Sequence, residues 1–393
     1  MCSSYPCGKM ERILEGSMVM DQEKITLLVN GTQAFPAIIQ AIETAKTSVE
    51  INMFIWRDDE IGNRMAEAVL TAGDHGAKVS ISVDRYGVVL EKCEEAKRSF
   101  FHKHQSWVEN IKIRALEILY PETCRGNHVP DEETEWYRRV MSHPNIQVTE
   151  DVFKADHSKY YIIDDQILFL GGVNIEDKEN GQDSRGRVYG DYMAKLEGSA
   201  YVRAFREKLA TGQNTLEGVF FGVNLKTPVR RFEMEQRYLD LIHGARKELH
   251  ITMAYFSPLK KFINAIVQAH ERGVRVTVVI PEAANFQNDS NRRAVRKLLK
   301  KTGNGIQVYL SSKMLHTKLM MNETYLSFGS TNITKKAFAQ LNELNLFVPN
   351  ADSAFQKELR QSILEDIHGA HRVESFQEVT YRPLLAFLES FMV

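Results

Sequence analysis

The chain has 393 residues, of which 43% are hydrophobic, 26% are charged and 10 are proline. This composition excludes disordered, collagen-like and coiled-coil proteins, and the length suffices for two or three domains of ordinary size. Fifty Lys and Arg against 51 Asp and Glu leave a net charge of −1. A protein held to nucleic acid by overall positive charge is therefore excluded.

The first half of the chain alternates between strand and helix patterns. Residues 1–23 lack the basic start and apolar run of a secretory signal, and we expect them to form a flexible tail. The pattern then predicts a strand over 24–30, a helix over 35–45, a strand over 48–56, a helix over 61–72 and a strand over 77–84. This alternation predicts an α/β protein with a mixed sheet.

The second half repeats the same order of patterns. Residues 234–256 match the first helix and second strand, with Ile251 falling opposite Ile51. Residues 263–281 match 65–84, each with an apolar helix, a polar turn containing Gly and a strand rich in Val and Ile. The repeat predicts two related lobes rather than independent domains.

Two short passages share one chemical pattern: a His, a Lys two residues later, an apolar strand, an acidic residue, a second strand and Gly-x-x-Asn. The first passage contains His157, Lys159, Asp164 and Asn174, and the second contains His316, Lys318, Glu323 and Asn332. A single His-x-Lys has little meaning. Two copies, each closing a repeated α/β pattern, indicate one site built from both halves.

The spacing within each passage suits phosphate chemistry. In a strand, residues i and i+2 face the same side, so each His lies beside its Lys. The Lys can bind phosphate oxygens, while one neutral His attacks phosphorus and the other, protonated, acts as general acid. Since Lys is a poor metal ligand and no second carboxylate accompanies either motif, we expect neither a metal nor a cofactor. Asp191 and Glu343, on the strands that follow, are expected to orient His157 and His316 respectively.

These passages resemble the duplicated HxKxxxxD motif of the phospholipase D superfamily, and the chain is most similar to the bacterial cardiolipin synthases. The segments FLGGVN, GDYMAKLEG, AYFSP and GSTN carry the likeness, which covers most of residues 24–348. The resemblance implies two pseudo-twofold-related lobes, each a mixed sheet flanked by helices, with one shared active site. We expect a first lobe over 24–215 and a second lobe over 216–393 that ends in a helical segment. Ile51 and Ile251 are 200 residues apart but His157 and His316 only 159, which places an insertion at about 87–146 as a candidate substrate lid or membrane-facing loop.

The resemblance further implies roles for individual residues. His157 would become phosphorylated and His316 would protonate the departing alcohol. Lys159 and Lys318 would bind the phosphate together with Asn174, Asn332 and Ser330, and Asp164, Asp191 and Glu343 would complete the catalytic group. Glu323 stands where the family has Asp, and we expect activity to survive this change.

Three surface segments have more than one interpretation. Residues 290–318 contain eight basic and no acidic side chains, which suits either an anionic lipid surface or a solvated helix face. Residues 97–114 combine basic and aromatic side chains, as in an interfacial helix or a buried helix with a basic rim. The C-terminal residues 382–393 either dock on the protein or touch a membrane. Tyr255 and Phe256 either line an acyl groove or end a buried strand.

The sequence therefore predicts a phosphatidyltransferase that makes cardiolipin from phosphatidylglycerol, or from another phosphatidyl donor and phosphatidylglycerol. A hydrolase, phosphodiesterase or nuclease of the same superfamily is the first alternative, and an inactive membrane-associated scaffold is the second. No apolar run approaches the about 20 residues of a membrane-spanning helix. We expect a cytoplasmic protein bound peripherally to anionic phospholipids, with no nucleic acid partner.

Overall fold

A computed structural model describes residues 24–95, 97–124, 132–216, 218–228, 230–351 and 353–392. The predicted N-terminal tail, 1–23, lies outside the described residues, as do residues 125–131 of the predicted insertion. The described chain forms two large mixed sheets flanked by helices, which confirms the predicted α/β fold of two related lobes.

The first sheet contains seven strands in the order β1-β8-β6-β5-β2-β3-β4. The strands up to residue 197 are β1 (Lys24–Val29), β2 (Ser48–Met53), β3 (Lys78–Val83), β4 (Ile146–Thr149), β5 (Tyr160–Ile163), β6 (Ile167–Gly171), β7 (Tyr189–Gly190) and β8 (Tyr192–Glu197). The helices are α1 (Asn30–Glu43), α2 (Glu60–Asp74), α3 (Val88–Cys93), α4 (Trp107–Leu119), α5 (Glu135–Ser142) and α6 (Ser199–Thr211), with 3₁₀ turns at Arg85–Gly87 and Asp177–Asn180.

The second sheet contains nine strands in the order β10-β9-β17-β16-β15-β11-β12-β13-β18. The strands from residue 220 onward are β9 (Phe220–Leu225), β10 (Arg231–Phe232), β11 (Glu248–Met253), β12 (Arg275–Pro281), β13 (Gln307–Ser311), β14 (Met314–Leu315), β15 (Lys318–Asn322), β16 (Tyr325–Gly329), β17 (Glu343–Pro349) and β18 (His371–Val373). Of these, β14 pairs with β7 in a separate two-stranded sheet. The helices are α7 (Met234–Gly244), α8 (Lys260–Glu271), α9 (Asn288–Lys301), α10 (Lys335–Ala339), α11 (Ala354–Ile367) and α12 (Pro383–Met392).

The repeated strands occupy equivalent places in the two sheets. β2 lies between β3, to which it is parallel, and β5, to which it is antiparallel. β11 lies in the same way between β12 and β15. β2 ends at Met53, before the predicted end at residue 56, because the chain leaves the sheet there and Trp56 pairs with Ile175.

Three apolar cores hold the layers together. One lies between the first sheet and helices α1 and α2, and a second lies between the second sheet and helices α7, α8 and α9. The third lies between the two sheets and includes Leu168 and Leu196 from the first lobe and Leu319 and Leu346 from the second. The order is therefore helix, sheet, sheet, helix, and the chemistry of the site lies where the two sheets meet.

Two of the surface segments with more than one interpretation contain both buried and exposed side chains. Lys97 is buried and pairs with Glu117 at 2.7 Å, and Phe100 is buried, whereas Trp107 is exposed. On α9, Arg296 donates hydrogen bonds to the backbone of residues 376 and 379, while Lys297, Lys300 and Lys301 are exposed. The basic segment is therefore partly structural and partly solvated.

The C-terminal helix α12 docks on the protein. Its Glu389 is buried and accepts hydrogen bonds from the Tyr120 hydroxyl at 3.1 Å and from the Ser290 backbone N–H at 2.6 Å. Leu384 and Phe387 on the same helix remain exposed. Among the described helices, none combines the length and apolar content required to cross a bilayer.

Candidate active site

The two His-x-Lys passages lie at the start of equivalent strands. Lys159 immediately precedes β5 and Lys318 begins β15, and both lysines and both histidines are buried. Each ammonium group donates to the carbonyl of its own histidine, with 2.6 Å between Lys159 Nζ and the oxygen of His157. Lys318 Nζ also lies 3.3 Å from Asp191 Oδ2. The structure therefore brings two buried cations and two imidazoles to one place, as predicted.

A short parallel pairing between the lobes positions the second histidine. β7 of the first lobe pairs with β14, which directly precedes His316. The backbone N–H of His316 donates to the carbonyl of Gly190 at 2.7 Å. Asp191, the next residue, consequently lies beside the imidazole, with 3.0 Å between its Oδ2 and His316 Nδ1.

The first histidine is positioned by the equivalent pairing on the other side. Asp156 forms a parallel bridge with Asn342, and the backbone N–H of His157 donates to the Asn342 carbonyl at 2.9 Å. Glu343, the next residue, lies with its Oε2 at 3.1 Å from His157 Nδ1. In both lobes, the hydrogen bond from the histidine N–H to a carbonyl of the other lobe places the next residue, Asp191 or Glu343, beside the imidazole.

The predicted pairing of carboxylates with histidines is therefore wrong. The sequence suggested that Asp191 orients His157 and that Glu343 orients His316, since each carboxylate follows the motif in its own lobe. The structure shows the reverse: Asp191 contacts His316 and Glu343 contacts His157. The reason is that the strands next to the motifs pair across the boundary between the lobes, which the order of residues in the chain does not reveal.

Burial controls the charge of the pair at His157. Burial, followed by the positive charges of Lys159 and Lys318, lowers the pKa of His157 well below its ordinary value. Burial raises the pKa of Glu343 to about 8, although the Ser330 hydroxyl and the lysines oppose this shift. At neutral pH the contact is a hydrogen bond between two uncharged groups. With the proton on Nδ1, the Nε2 lone pair of His157 is free to attack.

The two lysines share one buried space, in which the charge of Lys318 disfavours that of Lys159. Burial, followed by the charge of Lys318, lowers the pKa of Lys159 to about 7, although Glu343 and Asp191 oppose this shift. An anion that enters the site relieves this repulsion because it replaces the lost hydration of both ammonium groups. Two ammonium groups in one buried space are therefore chemically suited to a phosphate.

His316 has a second carboxylate that the sequence did not predict. Glu179 Oε1 lies 3.1 Å from His316 Nδ1, and burial raises the pKa of Glu179 although the charge of His316 opposes this shift. The expectation that no second carboxylate accompanies either motif is wrong here, because Glu179 comes from the turn after the first motif. Glu179, Asp191 and His316 place potential metal-ligand atoms within 4.8 Å of one another.

Asp164 is not part of the catalytic group, and its predicted catalytic role is wrong. It follows the far end of β5, where its carboxylate accepts the backbone N–H groups of Lys46, Thr47 and Ser48 at 2.7–3.1 Å. Although burial opposes the shift, these donors lower the pKa of Asp164. The carboxylate clamps the turn between α1 and β2.

Glu323 does the same in the second lobe. Its carboxylate accepts the backbone N–H groups of Arg246, Lys247 and Glu248, which are equivalent in the repeat to the three residues that Asp164 binds. The replacement of Asp by Glu therefore preserves the contact, because the longer side chain still reaches the turn between α7 and β11.

The predicted phosphate-binding residues have different surroundings. Asn332 is buried, accepts the backbone N–H of Tyr255 at 3.3 Å and borders the cavity that contains His157. Asn174 donates to Glu176 Oε1 at 3.3 Å, and its Oδ1 has no hydrogen-bond partner. Ser330 donates its hydroxyl proton to Glu343. A hydroxyl has one proton to donate, so Ser330 positions Glu343, and its predicted contact with phosphate is corrected.

Aromatic side chains surround the histidines, and of these the sequence singled out Tyr255 but not Phe54 or Tyr189. The ring of Phe54 meets His157 edge-on at 4.8 Å between centroids, and Lys159 Nζ lies 5.0 Å from the same ring. Tyr189 and Tyr255 flank His316 at 6.0 and 6.2 Å. Tyr255 lines the cavity at His157, whereas Phe256 is in the core. One signal was available: Phe54 and Tyr255 follow the equivalent strands β2 and β11.

Known proteins are similar in sequence to this chain over most of its length. A family model described as "Cardiolipin synthase, PLD-like domain" matches residues 38–185 and 238–367, which include both motifs. Cardiolipin synthase B of Escherichia coli K12 is 25% identical over 367 residues, covering 86% of this chain and 79% of that protein. Probable cardiolipin synthase YwiE of Bacillus subtilis 168 is 24% identical over 373 residues, covering 87% and 67%.

A solved structure shows the same fold. Phosphatidylserine synthase of Haemophilus influenzae Rd KW20 superimposes with a TM-score of 0.62 at 15% identity, covering 94% of this chain and 91% of that one. The family model spans more than half of the chain and both of its His-x-Lys passages. The chain therefore belongs to the phospholipase D superfamily, within its cardiolipin synthase-like family.

Proposed function

We propose that this protein is a phosphatidyltransferase that forms cardiolipin from phosphatidylglycerol, or from another phosphatidyl donor and phosphatidylglycerol, through a phosphohistidine on His157. The observation that carries the proposal is the pair of histidines next to two buried lysines, each with a carboxylate oxygen of the opposite lobe within 3.1 Å of its Nδ1. Membership of the family supports an enzyme of the phospholipase D type that acts on phospholipids.

In the first step, His157 Nε2 attacks the phosphorus of the donor lipid. Lys159 and Lys318 neutralise the nonbridging oxygens as a P–N bond forms and the bond between phosphorus and the leaving oxygen breaks. His316 donates its Nε2 proton to that oxygen, and a small alcohol departs. Burial and the two lysines favour the neutral form of His157 that this attack requires.

In the second step, a hydroxyl of phosphatidylglycerol attacks the phosphorus of the phosphohistidine. His316, now neutral, removes the hydroxyl proton, the P–N bond breaks, and His157 and His316 return to their starting states. Water in place of the lipid hydroxyl would yield phosphatidic acid. The apolar cavity of about 400 Å³ at His157 supports a lipid rather than water as the acceptor.

The test uses phosphatidylglycerol vesicles that carry the label in the phosphate. Wild-type protein is expected to acquire label in an alkaline quench and to release labelled cardiolipin. His157→Ala should acquire no label. His316→Ala should lose about 10²–10⁴-fold in rate, as expected for a general acid. His368→Ala, at an exposed histidine, is the matched control and should behave as wild type.

Other results would assign a different function. Label trapped in His157→Ala contradicts the nucleophile, phosphatidic acid as the sole product indicates a hydrolase, and cleavage of DNA in a parallel arm indicates a nuclease. No reaction with either substrate favours the scaffold. Treatment with EDTA should leave the rate unchanged because the two ammonium groups supply the charge; a loss would indicate that the cluster at Glu179 binds a metal.

A further inference from the structure

A single cavity of about 400 Å³ leads away from the candidate nucleophile. His157, Asn332 and Tyr255 line one part of it, and apolar side chains of α3, α4 and the segment before α9, including Val89, Leu116, Leu119 and Phe286, line another. Its volume lies within the usual range for small-molecule sites. A polar end and an apolar length match a phosphate with a hydrocarbon chain attached.

The outer wall of this cavity is helix α4. Ser106 and Glu109 close a capping box at its start, which holds the helix in place. Lys112 and Ala115 are exposed and also line the cavity, so they lie at its mouth. Phe153, which is 59% exposed, lines the same mouth and packs against Tyr86 at 5.1 Å between ring centroids.

The face of α4 next to the cavity is apolar and exposed. Trp107 is 73% exposed, Ile111 is 57% exposed and Ile118 is 80% exposed. At about 100° per residue, these three positions fall within about 40° of each other around the helix. Neighbouring Val152 is also exposed, beside Phe153. Contiguous apolar groups of this kind mark an interaction site rather than a surface that meets only water.

The charges around this face are positive. On α4, Lys112 and Arg114 are exposed, whereas Glu109 is paired with Arg85 at 3.0 Å and Glu117 with Lys97 at 2.7 Å. Both acidic groups of the helix are thus neutralised within the protein, and the free charges that flank the apolar stripe are cationic. Such a face is complementary to a bilayer of anionic lipid.

We propose that Trp107, Ile111, Ile118, Val152 and Phe153 form a docking face that enters the surface of an anionic bilayer, and that the cavity behind it receives one acyl chain of the lipid whose phosphate lies at His157. This inference rests on the proposed function and adds the route of the substrate: the chain passes from the bilayer into the cavity at Ala115 without crossing water. The acyl chain thereby avoids transfer through water, which is unfavourable because it exposes apolar surface.

The docking face is tested by the double variant Ile111→Glu/Ile118→Glu. Its matched control is Leu364→Glu, which places the same charge at a 61%-exposed leucine of α11, away from the cavity. Co-sedimentation with phosphatidylglycerol vesicles should weaken at least tenfold for the double variant and stay unchanged for the control. Vesicles of phosphatidylcholine alone should bind all three proteins weakly. Equal binding of the double variant and the control would overturn the docking face.

The cavity is tested by Leu116→Trp, which fills it from the α4 side. We expect the ratio of activity on long-chain vesicles to activity on dispersed dihexanoyl phosphatidylglycerol to fall at least fivefold, because the short lipid needs little of the cavity. Thermal melting verifies that the variant is folded. Leu364→Trp, which adds the same side chain at an exposed leucine of α11 outside the cavity lining, is the matched control and should leave the ratio unchanged. An unchanged ratio in Leu116→Trp would overturn the acyl site.

The two levels of the proposal can fail separately. If wild-type protein turns over neither long-chain nor short-chain lipid, the proposed function fails, while vesicle binding still judges the docking face. If both lipids react but the double variant binds vesicles like the control, the function stands and the docking face is wrong.

Discussion

At the scale of single residues, the two histidines have different surroundings despite the repeat. His157 contacts one carboxylate, Glu343, whose pKa burial raises to about 8. His316 lies between two carboxylates, Asp191 and Glu179. Burial and the two lysines favour an uncharged His157, whereas His316 has a second carboxyl group, that of Glu179, within 3.1 Å. This difference supports His157 as nucleophile and His316 as acid.

The pH dependence of kcat/KM is expected to follow from the buried groups of the free enzyme. Because the pKa of His157 lies well below 6.5, the nucleophile stays neutral and activity should persist below that pH. As pH rises through about 7, Lys159 loses its proton and its attraction for phosphate, so kcat/KM should fall. The measurement is a pH profile on short-chain phosphatidylglycerol.

The variant Lys159→Arg tests whether deprotonation of Lys159 causes the alkaline fall of kcat/KM. A guanidinium stays charged across the range, so the alkaline fall should move to higher pH even if the rate is lower throughout. An alkaline fall at the same pH in the variant and in wild type would contradict the role of Lys159.

At the scale of elements, pairings of one or two residues between the lobes determine the geometry of the site. β7 and β14 align Gly190 with Leu315, and the bridge between Asp156 and Asn342 does the same on the other side. The carboxylate of Asp191 also depends on Gly172, whose missing side chain leaves the space that the carboxylate occupies. A Cβ on Gly172 would lie 2.2 Å from Asp191 Oδ2, a distance that no real contact tolerates.

Gly172→Ala is therefore expected to displace Asp191 from His316 and to lower kcat about 10–100-fold, since the acid would lose its orientation. Gly244→Ala, at the last position of α7, is the matched control because a Cβ there would lie 3.5 Å from Asn322 Nδ2, an ordinary contact distance. Steady-state kinetics and thermal melting of both variants provide the measurement. Wild-type kcat in Gly172→Ala would show that Asp191 does not need its present position.

At the scale of the whole molecule, the two sheets share one core. Leu168 and Leu170 of the first sheet and Leu319 and Leu346 of the second belong to the same buried cluster. A lobe on its own would expose this surface to water, at a cost of about 25 cal/mol for each Å². The lobes should therefore fold and unfold together.

This cooperativity can be measured because the three tryptophans, Trp56, Trp107 and Trp136, all lie in the first lobe. Leu346→Ala, a truncation in the second lobe, should cost about 2–5 kcal/mol of stability. The midpoint of the tryptophan fluorescence transition should fall together with that of far-UV circular dichroism. A fluorescence midpoint that does not move would mean that the lobes unfold independently.

The sequence predicted the layered fold, the repeat and the four His and Lys side chains, because periodicity and spacing are local properties of the chain. It could not predict which carboxylate meets which histidine, since this depends on pairings between the lobes at residues 190 and 342. Glu179 was missed because it belongs to no repeated spacing. Asp164 was given a catalytic role although its five-residue distance from Lys159 already placed it at the other end of β5.

The crossed carboxylates have a consequence for symmetry. Neither lobe holds a complete histidine site, so two identical halves would work only as a pair in which each serves the other, and both histidines would then be equivalent. When the two halves are joined in one chain, their histidines need not be equivalent, because a substitution in one half leaves the other half unchanged. The position five residues after Asn174 is Glu179, and the position five residues after Asn332 is Ala337, which lines the cavity. One position thus lies beside His316 in the first half and in the wall of the cavity at His157 in the second.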